Sequence, residues 1–253
     1  MSDIWSLGSY ERLSVHWGPV QDQLVERLAI KPAERVLDLA TGTGEVAVRV
    51  AKLGAQVNAL DIAEPMLEKA RQRASEAEVA VTFELGDAEY LPYEDATFDV
   101  IVSNFGLVFA PDHANVAAEL ARVSTPGARL GFTAWKPNPK LGELYRRFTE
   151  DPIEGREAYE WGPEDHVEAM LGEDFELEFE DGTLWLESRS GEEIWELFSQ
   201  SAPPVIALLS RLDDDRAEEF HQAFVEHYES YRSEDGSGVR APRRYLLTLG
   251  RRK

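Results

Sequence analysis

The stretch from residue 36 to residue 50, VLDLATGTGEVAVRV, places two glycines where an apolar run meets a helix-like segment. Gly42 and Gly44 have no Cβ and adopt positive φ angles readily, so a turn built on them lets a ligand approach the main chain closely. The helix that follows would direct its free N–H groups and its positive end towards that ligand. Ala40 and Thr41 keep the turn small. We therefore predict a ligand-binding turn at this point.

A carboxylate stands 19 residues after Gly42, at the end of the next apolar run. In a parallel α/β sheet, an acid at this position accepts hydrogen bonds from the hydroxyl groups of a ribose. Asp61 could instead cap the helix that begins near Glu64. Its spacing from the glycine turn favours the first role, which indicates an adenosine-containing ligand.

Further polar residues fall in or after the other apolar runs. Asp38 lies within the first run, and residues 104–106 close the fourth. Asp87 and Ala88 follow the third, where a carboxylate can accept from an adenine amine and a backbone N–H can donate to a ring nitrogen. Residues 42–47 also satisfy the G-x-G-x-x-G/A pattern of dinucleotide sites, so the glycine turn alone leaves nicotinamide cofactors open.

The segment between residues 35 and 135 alternates apolar runs with amphipathic stretches, which predicts parallel strands joined by crossover helices. Right-handed crossovers bring the carboxyl ends of such strands to one edge of the sheet, where ligands bind. The predicted strands cover residues 35–40, 56–61, 79–85, 98–103 and 128–135. The predicted helices cover residues 45–52, 64–75 and 113–124.

The flanking segments have other patterns. Residues 9–28 predict one or two helices that end before Pro32. Residues 175–187 alternate apolar and polar side chains and predict one bent strand or a hairpin, because Asp181 and Gly182 interrupt the alternation. The remaining predictions are helices at 191–212 and 213–231, a turn or loop at 233–238 and a final strand at 243–249.

The composition excludes several classes of protein. The chain has 253 residues, 43% of them hydrophobic, so it can bury a sizeable core. Lys and Arg total 26 against 48 Asp and Glu, and the net charge of −22 argues against nucleic acid as a partner. The chain has no cysteine, so it has no thiolate nucleophile and no thiolate metal ligand. The motifs of serine hydrolases, zincins and P-loop proteins are also absent. We expect no metal. With no signal-peptide pattern and no apolar run of about 18 residues, we expect a soluble cytoplasmic protein that does not insert into membranes.

Taken together, the motifs resemble those of the class I S-adenosylmethionine-dependent methyltransferases, in the group similar to small-molecule and ubiquinone or menaquinone methyltransferases. The family's acid-x-Gly-x-Gly-x-Gly motif corresponds to residues 38–44, with Ala40 in place of the first glycine. The resemblance covers residues 10–135 and implies an α/β fold with a helical lid. Its Rossmann-like, doubly wound sheet would have seven strands, mostly parallel, with one antiparallel strand near the C-terminus and the final strand between the fifth and sixth. The cofactor-binding residues that it implies are Tyr10, Asp38, Ala40, Thr41, Gly42, Gly44, Asp61, Ile62, Met66, Asp87, Ala88, Asn104, Phe105 and Gly106.

The resemblance also implies one methyltransferase domain over residues 1–253. Its expected parts are a helical cover at 1–30, a cofactor-binding core at 31–136, an acceptor-side lid at 137–240 that includes the strand near 175–187, and a final strand at 241–253. The lid region is rich in aromatic side chains, which suit an apolar or aromatic acceptor. These side chains are Trp135, Tyr145, Tyr159, Trp161, Trp185, Trp195 and Phe198.

The implied function is transfer of a methyl group from S-adenosylmethionine to an oxygen, nitrogen or carbon atom of a small molecule, with S-adenosylhomocysteine as product. In-line displacement needs no covalent protein intermediate, so orientation of the reactants accounts for much of the catalysis. Asn104 is expected near the transferable methyl group, and His113 is the candidate general base, although it also suits the start of a helix. An NAD-dependent oxidoreductase and a noncatalytic adenosine-ligand-binding protein are the alternatives. We expect a monomer or a homodimer.

Overall fold

The structure, a computed structural model, describes residues 2–149 and 160–253 of the chain. The strands in this part are β1 Arg35–Leu39, β2 Gln56–Asp61, β3 Thr82–Leu85, β4 Phe98–Asn104, β5 Ser124–Trp135, β6 Phe175–Ser188 and β7 Val239–Arg252. They form one seven-stranded sheet with the order β3-β2-β1-β4-β5-β7-β6. β7 is antiparallel to both β5 and β6, and all other neighbours are parallel. The predicted sheet, with one reversed strand between the fifth and sixth, is confirmed.

Helices connect and cover these strands. The α-helices of the described ranges are α1 Tyr10–Ser14, α2 Gly18–Leu28, α3 Glu45–Lys52, α4 Glu64–Glu76, α5 His113–Val123, α6 Pro139–Arg146, α7 Glu164–Leu171, α8 Gly191–Ser201, α9 Pro203–Leu209 and α10 Asp214–Glu229. Short 3-10 helices span Ser2–Ser6, Val15–Trp17 and Leu107–Phe109. Buried apolar residues of α2, α3, α8 and α10 pack on one face of the sheet, and those of α5 and α7 pack on the other. The sheet therefore has a core on each side, as crossover connections require.

Two predictions about the C-terminal half were wrong or incomplete. Residues 191–212 form two helices, because Pro203 and Pro204 follow an extended Ala202, and proline cannot donate the backbone bond that would continue α8. Residues 175–188 form one strand and not a hairpin. Gly182 makes this continuity feasible, since a Cβ at this position would overlap the ring of Tyr245 on β7.

The remaining differences are at strand ends. β3 begins at Thr82 and not at residue 79, because the backbone of Val79 still bonds to Ala74 at the end of α4. β5 begins four residues earlier than predicted, at Ser124, and β7 extends beyond residues 243–249 on both sides. These shifts leave the carboxyl ends of the strands, which matter for a ligand, where the sequence predicted them.

The carboxyl ends of β1 to β4 meet at one edge of the sheet. Asp38 on β1 pairs with Ala59 of β2 and with Val102 of β4, and Asp61 pairs with Leu85 at the end of β3. The loops that follow these strands therefore surround a common space.

Candidate functional site

The loop after β1 folds as the predicted tight turn. Gly42 has a φ of 57° and Gly44 a φ of 80°, both in the left-handed region that favours glycine. A Cβ on Gly44 would lie 2.9 Å from the Cβ of Ala70 on α4, so the glycine lets α3 begin in close contact with α4. The turn thus presents bare backbone at the sheet edge.

Ala40 stands where the family motif has a glycine, and Gly106 makes room for it. Ala40 itself has a φ of 55°, which an alanine adopts at some cost. A Cβ on Gly106 would lie 2.6 Å from both the Cβ and the carbonyl oxygen of Ala40. Because Gly106 has no Cβ, the loop after β4 can lie directly against Ala40.

Asp61 ties the end of β2 to the glycine turn. Its Oδ2 accepts a hydrogen bond from the Gly42 N–H at 2.8 Å, and its Oδ1 accepts from the Ala63 N–H at 2.9 Å. Burial raises the pKa of this carboxyl, and the backbone donors lower it again. These bonds fix the loop before α4, but neither goes to an N–H within that helix, so Asp61 is not its side-chain cap. A carboxylate has about four acceptor positions, so two stay available to a ribose.

Two further buried carboxylates lie beside this turn. Asp38 is 1% exposed and accepts a hydrogen bond from the Thr41 hydroxyl at 2.6 Å. Burial raises the pKa of Asp38 to about 7. Glu45, in the first turn of α3, accepts from the hydroxyl of Ser14 at 2.6 Å and pairs with Arg73 at 2.8 Å. Glu45 therefore joins α1, α3 and α4 around the same space.

A cavity opens at this edge of the sheet, and most of the predicted cofactor residues line it. Those that do are Tyr10, Asp38, Ala40, Thr41, Gly42, Asp61, Ile62, Met66, Asp87, Ala88, Asn104, Phe105 and Gly106. Gly44 and His113 are not in the wall. The carboxylates of the wall are Asp38, Glu45, Asp61, Asp87 and Glu89. Within the described ranges no Lys, Arg or His lines the cavity, so the carboxylates make the wall negative, although Arg73 pairs with Glu45 and burial raises the pKa of Asp38.

The loop after β4 forms the wall opposite the acids. The Asn104 Oδ1 accepts a hydrogen bond from the Thr133 hydroxyl at 3.0 Å, and the same hydroxyl accepts from the Phe105 N–H at 3.0 Å. The Phe105 ring stacks on Trp135 with ring centroids 3.7 Å apart and planes 4° from parallel. Trp17 packs edge-on against both rings. This part of the wall is therefore aromatic and held by β5.

His113 lies away from the cavity. It begins α5, is 8% exposed, and its Nδ1 lies 2.9 Å from the Nε2 of His166 on α7. Its ring also packs on Trp161. Burial lowers the pKa of His113, and the neighbouring His166 lowers it further. The geometry thus gives His113 a packing position between α5 and α7, and its catalytic role stays a prediction without a contact to the cavity.

Several cavity residues had no signal in the sequence. Trp5 covers the cavity from the N-terminal 3-10 helix and packs on Phe109 with ring centroids 4.7 Å apart. Ser14, Gln21 and Glu45 line the cavity from α1, α2 and α3. Polar residues on amphipathic helices usually face solvent, so only their burial, seen in the fold, separates these from surface residues.

The aromatic residues expected around an acceptor are divided between several places. Trp135 contacts the cavity wall through Phe105. Trp161 is fully buried against Phe132, and Trp195 packs on Phe220 and Phe224. Further from the cavity, Phe198 packs on Phe224, Tyr145 packs on Phe220, and Trp185 is 42% exposed beneath Arg240. Tyr159 lies outside the described residues.

Metal and membrane signals were searched over the same two ranges. In residues 2–149 and 160–253, no three His, Asp or Glu side chains are grouped so that they could hold a metal ion. None of the helices described is both long and apolar enough to cross a membrane.

Comparisons with known proteins agree with the motifs and the fold. A family model described as a methyltransferase domain matches residues 36–127. An uncharacterized protein of Mycobacterium tuberculosis is 29% identical over 271 residues, which cover 98% of this chain and 93% of the relative. The demethylmenaquinone methyltransferase of Deinococcus radiodurans is 42% identical over 127 residues, which cover 49% of this chain and 52% of that enzyme. The crystal structure of YcgJ from Bacillus subtilis has the same fold, with a TM-score of 0.66 at 19% identity over 92% of this chain and 97% of that one. Residues 36–127 therefore match a methyltransferase domain, in agreement with the resemblance to class I S-adenosylmethionine-dependent methyltransferases that the motifs carry.

Proposed function

We propose that the cavity binds S-adenosylmethionine and that the chain transfers the methyl group to a small apolar or aromatic molecule. The observation that carries this proposal is the charge of the wall, which has five carboxylates and, over the described ranges, no basic side chain. Carboxylates in a partly desolvated wall stabilise a cationic ligand, because Coulomb energies grow as the local dielectric falls. A sulfonium ligand suits this wall.

The same observation argues against a nicotinamide cofactor. A dinucleotide places its pyrophosphate on the glycine turn, where backbone N–H groups and the helix dipole hold the negative charge. Here the Gly42 N–H already donates to Asp61, and Asp38 and Glu45 stand beside the turn. Two phosphate charges would meet these carboxylates without a basic partner from the described wall.

We assign parts of the ligand to residues by their position along the sheet edge. Asp87 and Ala88, after β3, would hold the adenine, beside Ile62. Asp61, at the end of β2, would hold the ribose hydroxyls. The glycine turn after β1 would lie against the remainder of the ligand.

Bound S-adenosylmethionine would supply a methyl group that is already electrophilic, so the chain has to orient the acceptor and exclude water. Asn104 and Phe105 stand where the acceptor would meet the cofactor. Thr133 fixes the Asn104 amide through a 3.0 Å hydrogen bond, which limits its motion. Holding two reactants in line is worth several kcal/mol in related reactions, of the order of 7–11 kcal/mol in well-oriented model systems.

The acceptor proposal rests on the aromatic wall. The aromatic side chains that line the cavity are Trp5, Tyr10, Phe105 and Phe109. Aromatic faces bind flat, apolar molecules well. The curated relative from Deinococcus radiodurans acts, by its name, on demethylmenaquinone, an observation that supports an aromatic acceptor for this chain.

Calorimetric titration of the purified protein with S-adenosylmethionine, S-adenosylhomocysteine and NAD tests the cofactor. We expect both sulfur nucleotides to bind and NAD not to bind, because of the negative wall. Binding of NAD alone would overturn the proposal.

Transfer of label from methyl-labelled S-adenosylmethionine to extracted small molecules then tests turnover. We expect the label in an organic-soluble fraction. Absence of label from every fraction would contradict the proposed reaction.

A further inference from the structure

Gln21 is a buried side chain whose amide oxygen forms no hydrogen bond within the described part of the protein. It lies on α2, is 3% exposed, and lines the cavity. Its Oε1 is fully buried and has no hydrogen-bond partner. Its neighbours along the buried face of α2, Val20 and Leu24, are apolar and pack in the core.

An unpartnered amide oxygen weakens a folded protein, since it has lost its bonds to water without gaining others. A methionine or leucine of similar size would satisfy the packing of α2 without that loss. Buried polar groups that violate the rules of folding are concentrated at functional sites. The position of Gln21 in the cavity wall therefore indicates a ligand contact.

The order of the sheet indicates which part of the ligand Gln21 meets. Under the proposed function, Asp87 and Ala88 at the end of β3 hold the adenine and Asp61 on β2 holds the ribose, so the amino-acid part lies further along, by β1 and β4. α2 packs mainly against β5, α3 and β4. Gln21 is therefore at the amino-acid end of the cavity.

We propose that Gln21 determines specificity for the amino-acid part of the ligand, its Oε1 accepting a hydrogen bond from the ammonium group and its Nε2 donating one to the carboxylate. An amide carries one acceptor and one donor group, which match the two charges of an amino acid. The donor matters here because no Lys, Arg or His of the described wall can hold the carboxylate. The inference rests on the proposed function, since it needs an adenosine ligand that carries an amino acid.

The test compares two ligands that differ only in this part. S-adenosylhomocysteine and 5′-methylthioadenosine share the adenosine and an uncharged sulfur, but the second lacks the amino acid. In the variant Gln21→Met, we expect the Kd for S-adenosylhomocysteine to rise about tenfold, the effect of losing hydrogen bonds to charged groups, and the Kd for 5′-methylthioadenosine to stay within about twofold.

Two controls separate a ligand contact from a structural effect. Like Gln21→Met, Thr248→Val removes a buried oxygen atom that has no hydrogen-bond partner. Thr248 lies on β7 and outside the cavity wall, so the Kd values for both ligands should stay unchanged. The ligand-free Gln21→Met protein should unfold at a temperature no lower than that of the wild type, because it loses an oxygen atom that had no partner.

The outcomes distinguish the two proposals. An unchanged Kd for S-adenosylhomocysteine, or an equal rise for both ligands, would overturn the role of Gln21. Failure of the wild-type protein to bind either ligand would instead overturn the proposed function. If Gln21→Met does not fold, Gln21→Glu keeps the size and polarity of the side chain, and the same difference between the two ligands is expected, because Glu cannot donate to the carboxylate at neutral pH.

Discussion

At the scale of single residues, Asp61 binds the main chain with one carboxylate and keeps room for a ligand. Each oxygen accepts one backbone hydrogen bond, from Gly42 or from Ala63, and each keeps acceptor capacity for a ligand. These backbone contacts are therefore compatible with the ribose role proposed for Asp61.

The variant Asp61→Ala tests the ribose role. We expect it to weaken binding of S-adenosylmethionine by about 1–3 kcal/mol, because charge-assisted hydrogen bonds to the ribose would be lost. Calorimetric titration measures the change, and circular dichroism checks that the variant is folded. Asp99→Ala is the matched control, since Asp99 binds Arg35 at the other end of the sheet and should leave affinity unchanged. Full affinity in a folded Asp61→Ala protein would remove Asp61 from the site.

Asp38 predicts how the free protein depends on pH. Burial, together with the charges of the nearby Asp61 and Glu45, raises its pKa to about 7. Hydrogen bonds from Thr41 and Ala47 act in the opposite direction and lower this pKa. A carboxyl whose pKa is higher in the folded state contributes stability that is complete below its unfolded pKa of about 3.9 and is lost as the pH rises through about 7. We therefore expect the unfolding temperature of the free protein to fall between about pH 4 and about pH 7, and to fall less in Asp38→Asn, whose amide does not titrate. Parallel curves for the two proteins would contradict this assignment.

The sequence predicted most of the residues that line the cavity but not all of them, and both outcomes have physical reasons. Asp61 and Gly42 were predictable because a parallel sheet brings strand ends together, so spacing along the chain fixes position in space. Gln21 and Trp5 were not, since an α-helix or a terminal segment can present any residue to solvent. The contact of His113 with His166, 53 residues away, was not predictable either, because no local pattern contains it.

At the scale of elements, the N-terminal segment closes one side of the cavity and is held by a helix from the other half of the chain. The Ser9 N–H donates to the carbonyl oxygen of Gln200 on α8 at 3.0 Å, and Trp5 lies over the cavity against Phe109. Gly8 has a φ of 70°, and a Cβ there would lie 2.6 Å from the Gln200 carbonyl oxygen. The segment can lie this close to α8 only with glycine at position 8.

The variant Gly8→Ala should therefore displace the segment without unfolding the core. Strain of about 1–3 kcal/mol in the closed position would lower the closed fraction and reduce the apparent affinity for S-adenosylmethionine by about tenfold or more. Fluorescence of the segment's Trp5 and calorimetry measure the two effects. Gly236→Ala is the control, because Gly236 also has a positive φ, 73°, but nothing lies within 4 Å of its added Cβ. Equal losses of affinity in both variants would show that backbone strain alone is responsible.

The predicted boundaries of helices and strands agree with the observed ones where a local interaction, such as a helix cap, fixes the boundary. Asp213 caps α10 at the position where the sequence predicted a helix to begin, its carboxylate accepting from the Arg216 N–H at 2.8 Å. The strand β6 was ambiguous because its continuity depends on Tyr245 packing over Gly182, a contact between strands that no local pattern contains. The break between α8 and α9 follows from Pro203, although the periodicity of residues 191–212 predicted one helix.

At the scale of the whole molecule, the net charge of −22 acts on stability and on binding in opposite directions. Salt screens the mutual repulsion of the surface carboxylates, so we expect the unfolding temperature to rise between about 0.05 M and about 0.5 M NaCl. Salt also screens the attraction between the negative wall and a sulfonium, so the Kd for S-adenosylmethionine should rise over the same range. The Kd for S-adenosylhomocysteine, which lacks the sulfonium charge, serves as the internal control and should change less. A Kd for S-adenosylmethionine independent of salt would mean that the wall carboxylates are neutral or remote from the sulfur.

Because β7 lies between β5 and β6, β6 cannot join the sheet until β7 has been synthesised. β6 is the edge strand and pairs only with β7, yet its residues leave the ribosome more than fifty positions before the whole of β7 has been made. Until then the fourteen residues of β6 have no strand to join, and unpaired strand edges promote association between chains. Glu176, Glu178 and Glu180 would repel the same segment of a neighbouring chain during that interval. We therefore expect these acids to reduce association between incomplete chains.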